Sequence, residues 1–436
     1  MSKPLCAIAG PFDTRSGYGE QARNVINHII ELDMYDVRLI SLPWGNTPMN
    51  VLKPENPKDK QLLDRMLPPP FGLPRQPELY IQIGVPHEFQ PQGKFNVGIT
   101  AGIETTLASV EWIEGCNRMD TVWVTSEHSK RIFENTIVDR KDAQGQHVAQ
   151  FRITKPIEVL HNCMDTKVFR KIAPKDIDRD VDAALSQVKE SFNFLFVGHW
   201  LRGEYGEDRK NVGVLIKTFC EAFKDKGPMN RPGLILKTSG GAFSVMDYDE
   251  VISKINSIRE SVGKDCPNVY LIYGDMTDVQ INSLYNHPKV KAHISFTKGE
   301  GFGLPLLEAT QSQKPLLVSG WSGQLDFLNP EECILLGGEL RKIERGSIWP
   351  GVLIENSMWF NVDTVFATNA MKHVIKNYDK FTDKAKKLSK SAAARFDYDV
   401  IRERTKALLD QYVPKFAMPV AMNLPKLRPA KKSETP

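Results

Sequence analysis

The chain has 436 residues, 41% hydrophobic and 25% charged, with a formal net charge of +4. That is more than one compact core usually holds, so two domains are expected, and the slight basic excess gives no reason to invoke a polyanionic partner. Six scattered cysteines without metal-type spacing, a short N-terminal apolar run and no window near ~18 apolar residues exclude a disulfide framework, a signal peptide and a membrane span, and make a cytoplasmic protein the expectation.

Short apolar runs alternate with helical stretches from the start. LCAIAG (5–10), VRLISL (37–42), LYIQIG (79–84), FNVGIT (95–100), TVWVTS (121–126) and IEVLHN (157–162) are predicted strands. EQARNVINHIIELD (20–33) and SEHSKRIFENTI (126–137) are predicted helices. Residues 43–77 are dense in proline, which excludes a central strand or a long helix and leaves an ordered excursion or a lid. The charged stretch 164–191 reads as a linker and the first helix of a second domain. The cycle then restarts with FNFLFVG (192–198), GLILKTS (233–239), VYLIYGD (269–275), KAHISFT (291–297) and PLLVSG (315–320). The helices between them include NVGVLIKTFCEAFKD (211–225) and TDVQINSLYNH (277–287). This alternation implies an α/β protein with two parallel-sheet domains, whose ligands bind at the carboxyl ends of the strands.

The segment GEGFGLPLLE (299–308) follows a predicted strand and leads into a helix. Gly301 and Gly303 permit backbone angles and close approaches that a Cβ prevents. Pro305 suits a first helical turn, whose free N–H groups favour phosphate oxygens. Glu308 falls about one turn into that helix, where a carboxylate accepts from a ribose diol. Glu300 precedes the turn and suits a neutral, hydroxyl-rich group. A nucleoside diphosphate carrying a sugar satisfies both acids; the alternative is a plain strand–helix turn with incidental acids.

Glu300 to Glu308 is similar to the E-x7-E signature of the family-4 retaining glycosyltransferases, in its EGFGLPxLEA form. GPFDTRSGYGEQAR (10–23), FNVGITAGIETT, IEVLHNCMDTKVF and FLFVGHWLRGEYGEDRKNVGVLIKTF resemble further segments of that family in the same order, over almost the whole chain. The resemblance implies the GT-B fold, two Rossmann-like domains facing a deep cleft. The expected domains are 1–165 for the acceptor and 166–395 for the nucleotide-sugar donor. A C-terminal helix at 396–413 is expected to return to the first domain, ahead of a flexible basic tail at 414–436. The resemblance places the ribose on Glu308 and the donor sugar on Glu300, with the backbone of Gly301, Phe302, Gly303 and Leu304 along the diphosphate. It gives Lys210 the diphosphate charge, a cation otherwise ill placed at a helix start. Where the family has an arginine after the FVG glycine, this chain has His199. The second cation is then expected from Arg202, with Arg209 or His199 as alternatives.

Gly17 and Gly19, in RSGYG, are read either as a close approach to the donor phosphates or as turn glycines. Glu104 is the nearest ionisable group after FNVGIT and is expected at the sugar or the acceptor hydroxyl, unless it only complements a helix dipole. His87 is a second candidate. No metal site is expected, because the triplets Asp176–Asp178, Asp180–Asp182, Asp247–Asp249 and Asp397–Asp399 follow no apolar strand. No cofactor is required, and a UDP- or GDP-sugar is the co-substrate. The implied reaction is metal-independent, retaining transfer to a hydroxyl of a glycan or other acceptor. Hydroxymethylated bases of DNA are a second acceptor class, and a non-catalytic nucleotide-sugar-binding protein is the alternative outside catalysis. A dinucleotide oxidoreductase is excluded, since GPFDTRSGYG lacks the GxGxxG spacing.

Overall fold

The computed structural model describes residues 3–70, 72–142, 144–200, 203, 205–240 and 244–416. β1 (Leu5–Gly10) is buried at every position, as a parallel strand covered on both faces must be. Ser16 caps α1 (Gly17–Leu32), its hydroxyl accepting from the Gly19 amide. There follow β2 (Asp36–Ser41), α2 (Pro57–Leu63), β3 (Leu79–Ile83), β4 (Phe95–Thr100), α3 (Val110–Arg118), β5 (Thr121–Val124) and α4 (Glu127–Asn135). A hairpin, β6 (Val138–Lys141) and β7 (His147–Phe151), leads to β8 (Ile157–Val159). The six strands β2-β1-β3-β4-β5-β8 form one parallel sheet in that order, and they are the six strands predicted for the first half. Among its described residues, the proline-rich excursion holds one helix, the seven-residue α2. It is tied down by the Asp13 carboxylate, which accepts from the amides of Val51 and Leu52 at 3.0 and 3.1 Å, and by the buried Leu52 and Leu62.

The second half starts with α5 (Arg179–Ser186), β9 (Asn193–Val197), α6 (Val212–Phe223), β10 (Gly233–Lys237), α7 (Val245–Val262), β11 (Val269–Ile272) and α8 (Asp278–Asn286). It continues with β12 (Val290–Ser295), α9 (Leu304–Thr310), β13 (Leu316–Ser319) and β14 (Ile334–Leu336). A second sheet of six parallel strands has the order β11-β10-β9-β12-β13-β14. Five were predicted; β14, three residues long, gives too short a run to register. The 18-residue α7 escapes the periodicity argument because it buries only Val251 and Ile255.

An antiparallel pair, β15 (Gly338–Lys342) and β16 (Met358–Val362), carries a 15-residue excursion between its strands. Three helices close the chain: α10 (Thr364–Lys376), α11 (Tyr378–Phe396) and α12 (Tyr398–Tyr412). Asp397 caps α12, which packs on α1, with Thr405 Oγ1 3.2 Å from His28 Nδ1 and Arg402 paired to Glu31 at 3.1 Å. The tail from residue 417 onward lies outside the described residues. Among the described residues, no helix is long and apolar enough to cross a membrane.

Candidate active site

The carboxyl ends of β9 and β12 bring the central residues together. After β9, the loop through Gly206 reaches Asp208, Arg209 and Lys210 before α6 begins. Asp208 is 1% exposed, and its Oδ2 accepts from the Val212 amide at 3.2 Å, holding the loop against the helix start. After β12, the chain passes Thr297 and Lys298 into the glycine turn. Gly303 takes φ +96° and hands over to α9, with Pro305 in its first turn.

Lys210 Nζ meets Glu300 Oε1 at 2.5 Å, and Arg209 Nη1 lies 3.3 Å from Glu300 Oε2. Arg209 Nη1 also donates to the Gly299 carbonyl at 2.9 Å and stands 3.5 Å from Glu104 Oε1. A chain of alternating charge thus runs from the first half, through Arg209, to the second. Burial works to raise the Glu300 pKa, but Lys210 and Arg209 outweigh it and hold the carboxyl at about 2. Burial draws the Lys210 ammonium down, with Glu300 working against that and Arg209 adding to it. Glu300 is therefore the counter-ion of the two cations beside it.

Glu308 lies one α9 turn beyond Pro305, half-buried, with the Tyr285 hydroxyl 3.3 Å from its Oε2. Enclosure by the protein pushes its pKa well above the usual carboxylate range, and Asp278 and Glu20 push the same way. Asp278, at the start of α8, is itself raised to about 6 by burial and by Glu20, against Arg23 and Arg15. Arg15, from the β1–α1 loop, pairs with Asp275 at 3.2 Å, so this end of the site also draws on both halves.

Two glycines of the turn face backbone from the first half of the chain. A Cβ on Gly301 would sit 2.3 Å from the Ala101 carbonyl oxygen, and one on Gly299 would sit 2.1 Å from that of Glu104. The turn is bare because the loop after β4 packs directly on it; the Thr125 hydroxyl also donates to the Gly301 carbonyl at 3.1 Å. Gly19 is equally constrained by its own loop, where a Cβ would lie 2.2 Å from the Thr14 oxygen. Gly17 is exposed, and a Cβ there would meet nothing within 4 Å.

Of the other expected residues, Phe302 puts its ring in the core, 5.2 Å from Phe327 and 5.7 Å from Phe396, leaving only its backbone at the turn. Leu304 opens α9 and packs on the same core. His199 Nδ1 is 3.2 Å from Ser239 Oγ; the surrounding protein, Lys210, Lys237 and Arg209 all depress its imidazole pKa. Arg202 lies outside the described residues, and Arg209 is the arginine brought to Glu300. His87 belongs to a turn packed on α3, where its carbonyl accepts from Arg118 at 2.7 Å. The acidic triplets serve helices and loops: Asp178 caps α5, Asp397 caps α12, and Asp247 accepts from the Gly240 amide and the Tyr273 hydroxyl. Among the described residues, no group of three or more His, Cys, Asp or Glu is arranged to hold a metal ion.

Sequence reasoning passed over Lys237, Ser322 and Lys298. Lys237, at the end of β10, donates to the Gly274 carbonyl at 2.7 Å. Ser322 sits at φ +73°, a strained angle for a residue with a Cβ, and its hydroxyl accepts from the Glu300 amide at 2.8 Å. None of the three carries a motif of its own; the SGWSG run was the signal near Ser322.

Solved structures share the two-sheet fold. A sucrose-phosphate synthase from Thermosynechococcus elongatus superposes with a TM-score of 0.60 at 13% identity, covering 94% of this chain and 98% of that one. The fold is GT-B. A glycosyltransferase from Rickettsia africae gives 0.60 at 9% identity, over 94% and 99% of the two chains. HepE from Anabaena, solved with UDP and glucose, gives 0.55 at 14%, over 94% and 100%. At these identities the likeness is one of GT-B fold. No family model matches the sequence, and no curated protein matches it.

Proposed function

We propose that the chain is a glycosyltransferase that moves a sugar from a nucleoside-diphosphate sugar to an acceptor hydroxyl, retaining the anomeric configuration and using no metal. The observation that carries this reading is the convergence of Lys210 and Arg209 on Glu300 at the carboxyl ends of β9 and β12, with Glu308 one helical turn further on. In the reading, Lys210 and Arg209 neutralise the diphosphate, whose charge grows as the glycosidic bond breaks; fixed cations stabilise that state selectively. The bond between the anomeric carbon and the phosphate oxygen breaks with its electron pair going to the phosphate. The acceptor oxygen attacks from the same face and gives its proton to the leaving phosphate.

Glu300, kept ionised by its two cations, accepts from sugar hydroxyls. Glu308 takes the ribose diol, and Glu104 faces the sugar or acceptor from the other half. The GT-B neighbour HepE was solved with UDP-glucose, which supports a UDP-sugar as donor here. A thermal-shift panel of UDP, GDP and their sugar derivatives tests the reading. A donor at a hundred times its dissociation constant should stabilise the protein by about 2.7 kcal/mol. A melting point that no nucleoside diphosphate or nucleotide sugar moves would sink the proposal.

A further inference from the structure

Lys298 immediately precedes Gly299 and Glu300, and its side chain has no part in the reaction described above. The residue is 0% exposed, so its charge has been taken out of water and needs compensation. Compensation arrives from three separate segments. Its Nζ lies 2.9 Å from Glu344 Oε1 in the excursion between β15 and β16, donates to the Gly206 carbonyl, and stands 4.2 Å from the ring centroid of Trp359 on β16. Its backbone is committed to two of the same segments: the amide donates to the Arg209 carbonyl at 2.8 Å, and the carbonyl accepts from the Phe360 amide of β16 at 2.9 Å. Burial lowers the ammonium pKa, and Glu344 opposes that.

The loop it grips is the one that presents Arg209 and Lys210. That loop carries Gly203 and Gly206 at φ +141° and +80°, and its own hold is at its far end, where Asp208 accepts from the Val212 amide at the start of α6. The excursion adds a second hold, with Ser347 Oγ donating to the Glu207 carbonyl at 2.6 Å. The excursion and the start of β16 are anchored in turn on the first half of the chain. Ser109 Oγ donates to the Gly351 carbonyl at 2.7 Å, and the Met358 amide donates to Thr106 Oγ1 at 2.9 Å.

We infer that Lys298 is a positioning residue: by fastening the 206–209 loop to the β15–β16 excursion, it holds Arg209 and Lys210 where they face Glu300. This rests on the reading of those two cations as the diphosphate site. A site of this kind has to be held to within about 0.5 Å, which long, rotamer-rich side chains on a glycine-containing loop do not achieve unaided.

A double-mutant cycle on nucleotide affinity is the test. Lys298→Met keeps the aliphatic stem and removes the ammonium; Lys210→Ala removes one of the two cations through which Lys298 is held to act. Dissociation constants for UDP and GDP are measured by calorimetry in the wild type, both single variants and the double variant. The expected result is about a tenfold loss from Lys298→Met in the wild-type background and about threefold or less in the Lys210→Ala background, where Arg209 alone is left to be positioned. Equal losses in both backgrounds, or no loss in the first, overturn the positioning role. If Lys298→Met does not fold, Glu344→Gln replaces it in the same cycle with the same criteria. A wild type that binds neither UDP nor GDP overturns the donor reading, and the role of Lys298 with it. A wild type that binds, with an additive cycle, overturns the role of Lys298 alone.

Discussion

Lys210 and Glu300 meet end to end, Nζ to Oε1 at 2.5 Å, with their side chains 13% and 9% exposed. Breaking one side of so enclosed a pair costs more than the pair itself contributes, because the survivor stays buried and charged. Lys210→Met leaves Glu300 with Arg209 alone. The expected outcome is a loss of stability on the order of 3 kcal/mol, seen in urea unfolding. Turnover of a nucleotide-sugar donor should fall by about a hundredfold or more, the scale of losing one preorganised charge-stabilising group. Wild-type stability and turnover in this variant would remove Lys210 from the site.

The two glutamates of the turn should respond to pH with opposite signs. Glu300 falls from 4.5 when unfolded to about 2 when folded, so its contribution is present above pH 4.5 and is lost as pH falls through about 2. That shift corresponds to about 3 kcal/mol. The stability gap between wild type and Glu300→Gln should therefore close on acidification across this window. The Glu308 pKa is raised on folding, so its ionisation opposes folding, increasingly as pH rises above 4.5. Glu308→Gln should accordingly be more stable than wild type at neutral pH, while binding nucleotide less tightly. Denaturation midpoints against pH, paired with calorimetry, check both signs, and a Glu308→Gln protein less stable than wild type contradicts the second.

Much of this fold was legible in the sequence, because parallel strands buried on both faces write continuous apolar runs that loops and helices interrupt. The eleven predicted strands are all present, and Glu300, Lys210 and Glu308 were named from their motif and its order along the chain. What stayed hidden depends on contacts between distant segments. Nothing local marks Lys298 as fully buried, or tells Arg209 from Arg202 as the partner of Glu300. The Gly301 position looked like room for a close approach by a ligand, whereas Ala101 occupies that space with backbone from the other half of the chain.

Glu104 offers the test that separates donor from acceptor. Its carboxylate is 3.5 Å from Arg209 and 25% exposed, so the ion pair itself is worth about 1 kcal/mol or less. Glu104→Gln should then fold almost as stably as wild type. If the residue serves the sugar or the acceptor hydroxyl, turnover drops by about tenfold while nucleotide affinity stays within about threefold. Steady-state kinetics and calorimetry on one preparation decide it. A parallel fall in nucleotide affinity would move Glu104 to the donor side, acting through Arg209.

The glycines give the last contrast, since two of them look alike in sequence and differ in space. Gly301→Ala would place a methyl 2.3 Å from the Ala101 carbonyl oxygen, which is backbone and has no rotamer to yield. The halves must then separate at the turn, and the Glu104–Arg209–Glu300 chain parts with them. Small-angle scattering should report a larger radius of gyration, and nucleotide affinity should fall even though no ligand-facing group has been removed. Gly17→Ala meets nothing within 4 Å, so its stability should stay within about 0.5 kcal/mol of wild type. Any loss of nucleotide affinity in that variant must come from the ligand's own need for the space at the start of α1. Unchanged affinity in Gly17→Ala makes it a turn glycine only, and an unchanged scattering profile in Gly301→Ala means the closed contact is not rigid.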